Sequence, residues 1–388
     1  VTSDAPGGSP ALTPSGEQLR DRFADEVLLI TGFPGFRAQA LVSTLLEREP
    51  SASFWFVVPP SELEHAARLL AAEKLAGERL RLIPGEPCAI DLGLSRQVYG
   101  ELAQRVDRWF SLYQAAEAQA PRELCFRVNL GSAREIVELS RVAENLAHVT
   151  FLSSSAVFGD HRGQVAEEQL SLGQDFPSPA GESLALAEAV LRRHLAEAPV
   201  SVVRTPTVLG ARGSTGPART SVLHRILALV ANAPSDGALP LPPGSHRAVQ
   251  VVPADFLAEA LYAVAVLGTR GHTYHFSEAQ PPSLAAVLDR AARHFGKRFD
   301  EGFDARSLGR LLLRNPGFWL SQPSSRALGE WAEGPQLLSR GGQRLLDRAS
   351  LRVPALLDYL DVVLNETSEL ASDKLPEATA TQPFEVVA

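Results

Sequence analysis

The sequence predicts an α/β protein, a doubly wound parallel sheet with a smaller lobe behind it. Short apolar segments alternate with helical ones between residues 27 and 204. A glycine turn follows the first apolar segment directly, at residues 32–38. Beyond residue 205 Pro and Gly cluster and the alternation loosens. Regular alternation places helices on both faces of a parallel sheet, through right-handed crossovers.

Taken in order, residues 1–24 are rich in Ser, Gly, Pro and charge and read as a flexible tail. Residues 25–205 form the expected main domain, with strands at 27–31, 53–58, 79–83, 106–112, 148–153 and 199–204. Helical spacing fills the gaps at 36–48, 61–77, 95–104, 131–146 and 181–196. Residues 206–368 form the C-terminal lobe, and 369–388 a second flexible tail. Within the lobe, an apolar helix at 220–232 lies between Pro/Gly clusters and has two readings: the wall of an acyl-sized cleft, or an ordinary core or dimer helix. A strand at 248–252, a helix at 254–267 and a strand at 271–276 are expected to return to the main sheet, and 282–296 and 355–366 read as helices.

Composition narrows the function. The chain has 388 residues, 45% hydrophobic and 21% charged, as in an ordinary globular protein. A net charge of −8 argues against nucleic acid, whose phosphates need clustered cations. Cys88 and Cys125 are the two cysteines; they form no disulfide framework and no metal spacing, so a reducing cytoplasm is expected. Nine histidines show no metal-ligand spacing, and no metal is expected. No run of 18 apolar residues could span a membrane, and no secretory leader is read at the N-terminus.

The turn Thr31-Gly32-Phe33-Pro34-Gly35-Phe36-Arg37-Ala38 has a mechanical reason for each small residue. Gly32 permits the tight strand-to-helix reversal, Gly35 lets the backbone approach a pyrophosphate, and Ala38 allows close helix–strand packing. The expected ligand is NAD or NADP on a Rossmann-type sheet. Arg37 reads as a solvated first-turn residue, with approach to a phosphate as the other reading.

Further segments follow in order: Asp91-Leu-Gly-Leu-Ser95, Gln114-Ala115-Ala116, Asn129-Leu-Gly131, Ser153-Ser-Ser-Ala-Val-Phe-Gly159 and Val203-Arg-Thr-Pro-Thr-Val-Leu-Gly210. Val251-Val-Pro-Ala-Asp-Phe256 and Gly271-His-Thr-Tyr-His275 complete the set. Together with the turn they resemble the extended short-chain dehydrogenase/reductases, in particular the bacterial branch allied to thioester and fatty acyl reductases, over residues 25–365. Tyr113 stands where that branch carries a His.

The resemblance implies cofactor contacts from Thr31, Gly32, Phe33, Pro34, Gly35, Phe36, Glu86, Ala115 and Asn129. It places Ser154 at the carbonyl-polarising position. It also implies a Tyr and, four residues on, a Lys that lowers the phenol's pKa from near 10. Aligning Ala187-Glu188 and Phe176 with the family motif puts Ala180 at the Tyr, Ser183 at the Ser/Thr and Leu184 at the Lys. No Tyr-x-x-x-Lys occurs in the chain, whose lysines are Lys74, Lys297 and Lys374. Pro59 and Pro60 stand where NADP-dependent relatives carry an Arg, and Glu86 where they carry an Asp.

The expectation is therefore a degenerate reductase-like protein, NAD(P)-binding but without the dyad, in a sensing or partner-regulating role. One alternative is an NAD(P)-dependent oxidoreductase reducing a carbonyl or acyl thioester through another acid, Ser154 with Glu182 or with a group of the substrate. A second is a structural or interaction subunit without ligand. An apolar or acyl small molecule, a protein partner and a homo-oligomer are the expected classes of partner.

Overall fold

Seven parallel strands form the central sheet in this computed structural model, which describes residues 19–72, 79–116, 120–210, 222–231, 238–240, 245–300 and 334–372. The strands are β1 (Val27–Thr31), β2 (Ser53–Val58), β3 (Leu80–Pro84), β4 (Arg108–Ser111), β5 (His148–Ser154), β6 (Gln164–Val165) and β7 (Val200–Thr205). β8 (Thr207–Leu209), β9 (Ala238–Pro240), β10 (Val251–Pro253), β11 (Thr273–His275), β12 (Arg298–Asp300) and β13 (Gln336–Leu337) follow. The helices are α1 (Phe36–Arg48), α2 (Leu63–Ala72), α3 (Arg96–Arg105), α4 (Arg122–Val142) and α5 (Pro179–Arg193). The later ones are α6 (Val222–Ala231), α7 (Ala254–Leu267), α8 (Leu284–His294), α9 (Arg340–Arg348) and α10 (Leu356–Ser372).

The sheet runs β11-β7-β5-β4-β1-β2-β3. The chain winds outward one way from β1 and then the other way from β4, so a crevice opens between the carboxyl ends of β1 and β4. Their register is matched there, Thr31 lying opposite Ser111 on one side and Val57 on the other. Side chains alternate across the sheet with period two. Leu28 and Ile30 join the layer under α1 and α7, while Val27 and Leu29 join the layer under α3, α4 and α5. Burial on both faces explains why these strands read as unbroken apolar runs. β11 pairs with β7, so the C-terminal half returns a strand to the main sheet.

Several boundaries differ from the sequence reading. Residues 19–24, expected in the flexible tail, are packed: Leu19 and Phe23 are 4% and 1% exposed in the core. The N–H groups of Arg22 and Phe23 donate to the buried Glu49 carboxylate, which also accepts the Tyr262 hydroxyl. A two-residue apolar pattern is too short to signal this anchoring. α4 starts at Arg122 rather than 131, so Gly131 lies inside it, where a Cβ would strike the Cys88 carbonyl. α10 continues to Ser372, past the boundary expected at 368. The helix expected at 61–77 opens as a 3-10 turn, Pro60–Glu62, and its end beyond Ala72 lies outside the described residues, as do 1–18 and 373–388. Leu223, Leu227 and Val230 of α6 belong to a buried apolar cluster with Leu288 of α8 and Leu360 of α10, so this face of the helix packs as core.

A buried histidine gives the fold an acid limit. Burial, with Arg108 and Arg270 nearby, pushes His148 from 6.5 down to about 4. The unfolded chain therefore takes up the proton first, and stability that is complete above pH 6.5 is lost as pH falls towards 4. The expected loss at that end is roughly 3 kcal/mol. Urea unfolding from pH 7 to 4 should show it, and His148→Gln should flatten the slope by about one proton. An unchanged slope in the variant would remove His148 as the cause.

Candidate dinucleotide site

The glycine turn closes the crevice from the β1 side. Gly32 has φ +98°, and a Cβ there would lie 2.6 Å from the Leu112 carbonyl carbon and 2.8 Å from the Tyr113 nitrogen. Only glycine lets the turn sit this close to the end of β4. α1 then begins with no side-chain cap and no acid in its first turn. Its leading N–H groups and positive dipole end are therefore open to an anion.

The turn residues divide into two groups. Thr31 is buried and its hydroxyl accepts from Trp109 Nε1 at 3.2 Å, while Phe33 packs on Phe56 with ring centroids 5.1 Å apart. The Pro34 carbonyl accepts from Gln39 Nε2 at 2.6 Å. These three side chains and carbonyls hold the turn's shape. Gly35, Phe36 and Arg37 are half-buried. Arg37 differs from the solvated reading: burial lowers its guanidinium from 12.5 to about 10.

The β4 side carries two polar atoms on residues that were not among the expected site residues. Ser111 Oγ and Gln114 Oε1 are buried and lack a hydrogen-bond partner, although Gln114 Nε2 donates to the Leu152 carbonyl at 3.3 Å. Unpaired buried polar atoms are rare and call for a partner. Their signal in the sequence was a polar residue ending a central strand, Ser111, and another opening the Gln114-Ala115-Ala116 segment. Asn129 is fully engaged: Oδ1 accepts from Ala115 N–H at 2.9 Å, and Nδ2 donates to the Ala115 carbonyl and to Ser183 Oγ. It thus fixes the backbone at Ala115 and ties α4 to α5.

Glu86, expected near an adenine, already accepts from the Tyr113 hydroxyl at 2.7 Å and from the Cys88 thiol at 3.3 Å. Burial, with Glu86 second, pushes the Cys88 thiol up to about 12, so it is no nucleophile at neutral pH. The same causes raise the Tyr113 phenol. Tyr113→Phe removes a donor to a carboxylate and should cost about 1.5 kcal/mol of stability. Equal urea midpoints for the two proteins would show that the bond contributes nothing.

α5 holds the positions at which the resemblance implies a Tyr and a Lys. Ser178 caps it, its Oγ accepting from Gly181 N–H at 3.2 Å. Ala180 is 1% exposed in an apolar cluster with Tyr113, Ala115, Cys125 and Val128. Leu184 is also 1% exposed, in the core layer with Phe151, Val157 and Leu191. Ser154, at the end of β5, is half-buried and its Oγ accepts from Ala156 N–H at 3.2 Å. Glu182 forms a bidentate pair with Arg122 at 2.5 and 2.9 Å. That pair holds its carboxyl below the ordinary range, so it is not a proton donor at neutral pH.

Behind the site lies a charged network. Arg204 and Glu188 are both fully buried and joined at 2.5 Å, and Ser153 Oγ donates to the same carboxylate at 2.6 Å. A guanidinium has no acceptor, so His275 Nε2, 3.1 Å from Arg204 Nη1, must accept. The His275 proton then lies on Nδ1 and donates to the Leu338 carbonyl at 3.1 Å. Burial, with Arg204 second, lowers this imidazole to about 3, in agreement with the neutral form. Glu167 accepts from the N–H groups of Gly341 and Gly342 at the start of α9.

A cleft of about 540 Å³ lies elsewhere, lined by Arg162, Gln164, Arg247, Gln250, Gln280 and Gln336 among others. It touches neither the glycine turn nor α5. Among the described residues no cluster could hold a metal, and no helix is long and apolar enough to cross a membrane.

A glycine turn leading into an uncapped helix, at the switch of strand order in a parallel sheet, is the arrangement of a Rossmann-type α/β protein. The profile of the NAD-binding family described as male sterility protein matches residues 30–261, and the chain belongs to that family. It is 27% identical over 302 residues to a carboxylic acid reductase of Segniliparus rugosus, covering 69% of this chain and 25% of that protein. It is 26% identical over 157 residues to a Drosophila melanogaster protein named as a putative fatty acyl-CoA reductase, covering 38% and 29%. The chain thus spans about a quarter of the length of these curated relatives. Because one relative is an animal protein, the likeness does not single out the bacterial branch. The terminal R domain from the myxalamid PKS-NRPS biosynthetic pathway shares the fold, with a TM-score of 0.74, 19% identity and coverage of 92% and 94%.

Proposed function

We propose that this chain binds a nicotinamide dinucleotide at the glycine turn and does not run the standard hydride chemistry of its family, acting as a nucleotide-dependent sensing or partner-regulating protein. The observation that carries this reading is the packing of α5. Ala180 and Leu184 fill their positions with apolar side chains at 1% exposure, leaving no acid or cation there. The binding half of the site fits the ligand: the open start of α1, Gly32 held against β4, and the unpaired Ser111 and Gln114 oxygens support it. A bound dinucleotide would supply a hydride. This chain's Ser154 would offer a hydroxyl to a carbonyl, and without a positioned acid the rate falls by about 10²–10⁴.

The second reading keeps turnover of a carbonyl or acyl thioester through Ser154, whose half-buried hydroxyl keeps its own proton to donate. Glu182 no longer supports it, because Arg122 holds the carboxylate.

Titration with NADH and NADPH, followed by nicotinamide fluorescence and heat, tests the reading. Micromolar binding without oxidation by a panel of aldehydes and acyl thioesters is the expected result. Oxidation would establish the second reading. Binding of neither cofactor would leave the turn as architecture and favour a subunit without ligand.

A further inference from the structure

Arg37 is the one feature of the nucleotide turn that the fold does not explain. It sits in the first turn of α1, close to Gly35, where the helix has neither a side-chain cap nor an acid. Among the described residues its guanidinium makes no hydrogen bond and no ion pair. Its one contact of note is the ring of neighbouring Phe36, at 5.8 Å. Other half-buried arginines around the sheet are paired: Arg48 with Glu259, Arg108 with Glu26 and Arg192 with two backbone carbonyls. A desolvated, unpaired cation is unfavourable unless an anion joins it. No carboxylate contributes to its environment, and burial alone accounts for its lowered basicity.

A second observation marks the same crevice as incomplete. Across from the turn, Gln114 is 2% exposed and its Oε1 has no partner, and Ser111 Oγ is likewise unpaired. The end of β4 that carries them abuts Gly32. The unpaired guanidinium at the start of α1 and the unpaired oxygens at and just beyond the end of β4 thus leave polar groups without partners on both segments that meet at Gly32.

We infer that Arg37 is the cationic anchor for the diphosphate of the bound dinucleotide, working with the N–H groups at the start of α1. This rests on the nucleotide-binding reading above and adds the residue that supplies its charge. The chain has Leu at 184 and Pro at 59, so neither position offers a positive charge to the cofactor. Arg37 provides it from the helix start instead. A guanidinium suits the task because its planar fork can meet two phosphate oxygens at once. The 2′-phosphate of NADPH is the other anion in reach of such a site, and the test separates the two.

The experiment measures dissociation constants for NADH, NADPH and inorganic pyrophosphate, with melting temperatures, in the wild type, Arg37→Gln and Arg37→Lys. Losing a charge-assisted phosphate contact should weaken NADH and NADPH alike, about tenfold or more, with Arg37→Lys in between. Pyrophosphate should raise the melting temperature of the wild type and not of Arg37→Gln. Without ligand, Arg37→Gln should melt no lower than the wild type, because it removes an unpaired cation. Unchanged affinities in Arg37→Gln would overturn the inference and leave the nucleotide reading standing. Weakening of NADPH alone would overturn it in favour of the 2′-phosphate. If pyrophosphate binds through Arg37 while neither dinucleotide binds, the anion site stands and the nucleotide reading falls. If nothing binds the wild type, both fall.

Discussion

Arg204→Met should destabilise the protein by roughly 3–5 kcal/mol, the largest effect expected from a single substitution away from the nucleotide turn. Arg204 Nε lies 2.9 and 3.1 Å from the two Glu188 oxygens, Nη2 lies 2.5 Å from Oε2, and both residues are fully buried. Removing the cation strands the Glu188 carboxylate in the core. It also frees the Gln169 carbonyl, which accepts from Nη1 at 2.8 Å, and leaves His275 Nε2 without its donor. Arg204→Met with Glu188→Met removes both charges and should lose clearly less than the sum of the single losses, since the stranded-charge penalty vanishes. Urea unfolding of the four proteins completes the cycle. Additive losses would mean that the pair has no coupling and that packing alone explains Arg204.

Leu184→Lys is the second large effect. The substitution is the one the family resemblance invites, and the structure argues that it fails. Leu184 is 1% exposed among Phe151, Val157 and Leu191, so an ammonium there enters an apolar layer with no carboxylate prepared for it. The effective penalty for burying one ion is several kcal/mol. Ala180→Tyr adds a ring to a position packed in one cluster with Cys125 and Val128, which costs a further ~1–3 kcal/mol through overpacking. The paired variant should therefore melt far below the wild type and show no oxidation of NADH by aldehydes. A stable, active double variant would overturn the sealed packing of α5 as the reason that chemistry is lost. It would mean that the helix can rotate or shift to present both side chains to the crevice.

The fold was legible because its signals are local. The apolar runs that became β1, β2, β5 and β7 are buried on both faces, so each strand announced itself without reference to its neighbours. α7 matched its expected span because Pro253 and a continuous apolar helix bound it. Short pairings such as β6 with β13 were not legible, since two residues 172 positions apart carry no local pattern. α9 was not legible for the same reason: its start is held by Glu167, a carboxylate from a distant loop.

The site divides along the same line. Gly32 and Gly35 could be read in sequence because a turn after a first strand needs small residues at that spacing. Tyr113 and Glu86 could not be paired by any rule of spacing, because the loop after β3 and the end of β4 meet only in the folded chain. The surroundings of Arg37 were hidden because helical position sets the direction of a side chain but not what encloses it.

By itself, then, the sequence determined the doubly wound sheet, the place of the nucleotide turn and the absence of a Tyr-x-x-x-Lys pair, all properties of residues near one another in the chain. Only the tertiary structure decided that Ala180 and Leu184 are sealed into packed layers, that the Glu182 carboxylate is paired with Arg122 and that, among the described residues, Arg37 stands without an anion. Burial and charge pairing depend on segments that folding alone brings together, and those two quantities set whether a side chain holds a structure, a proton or a ligand.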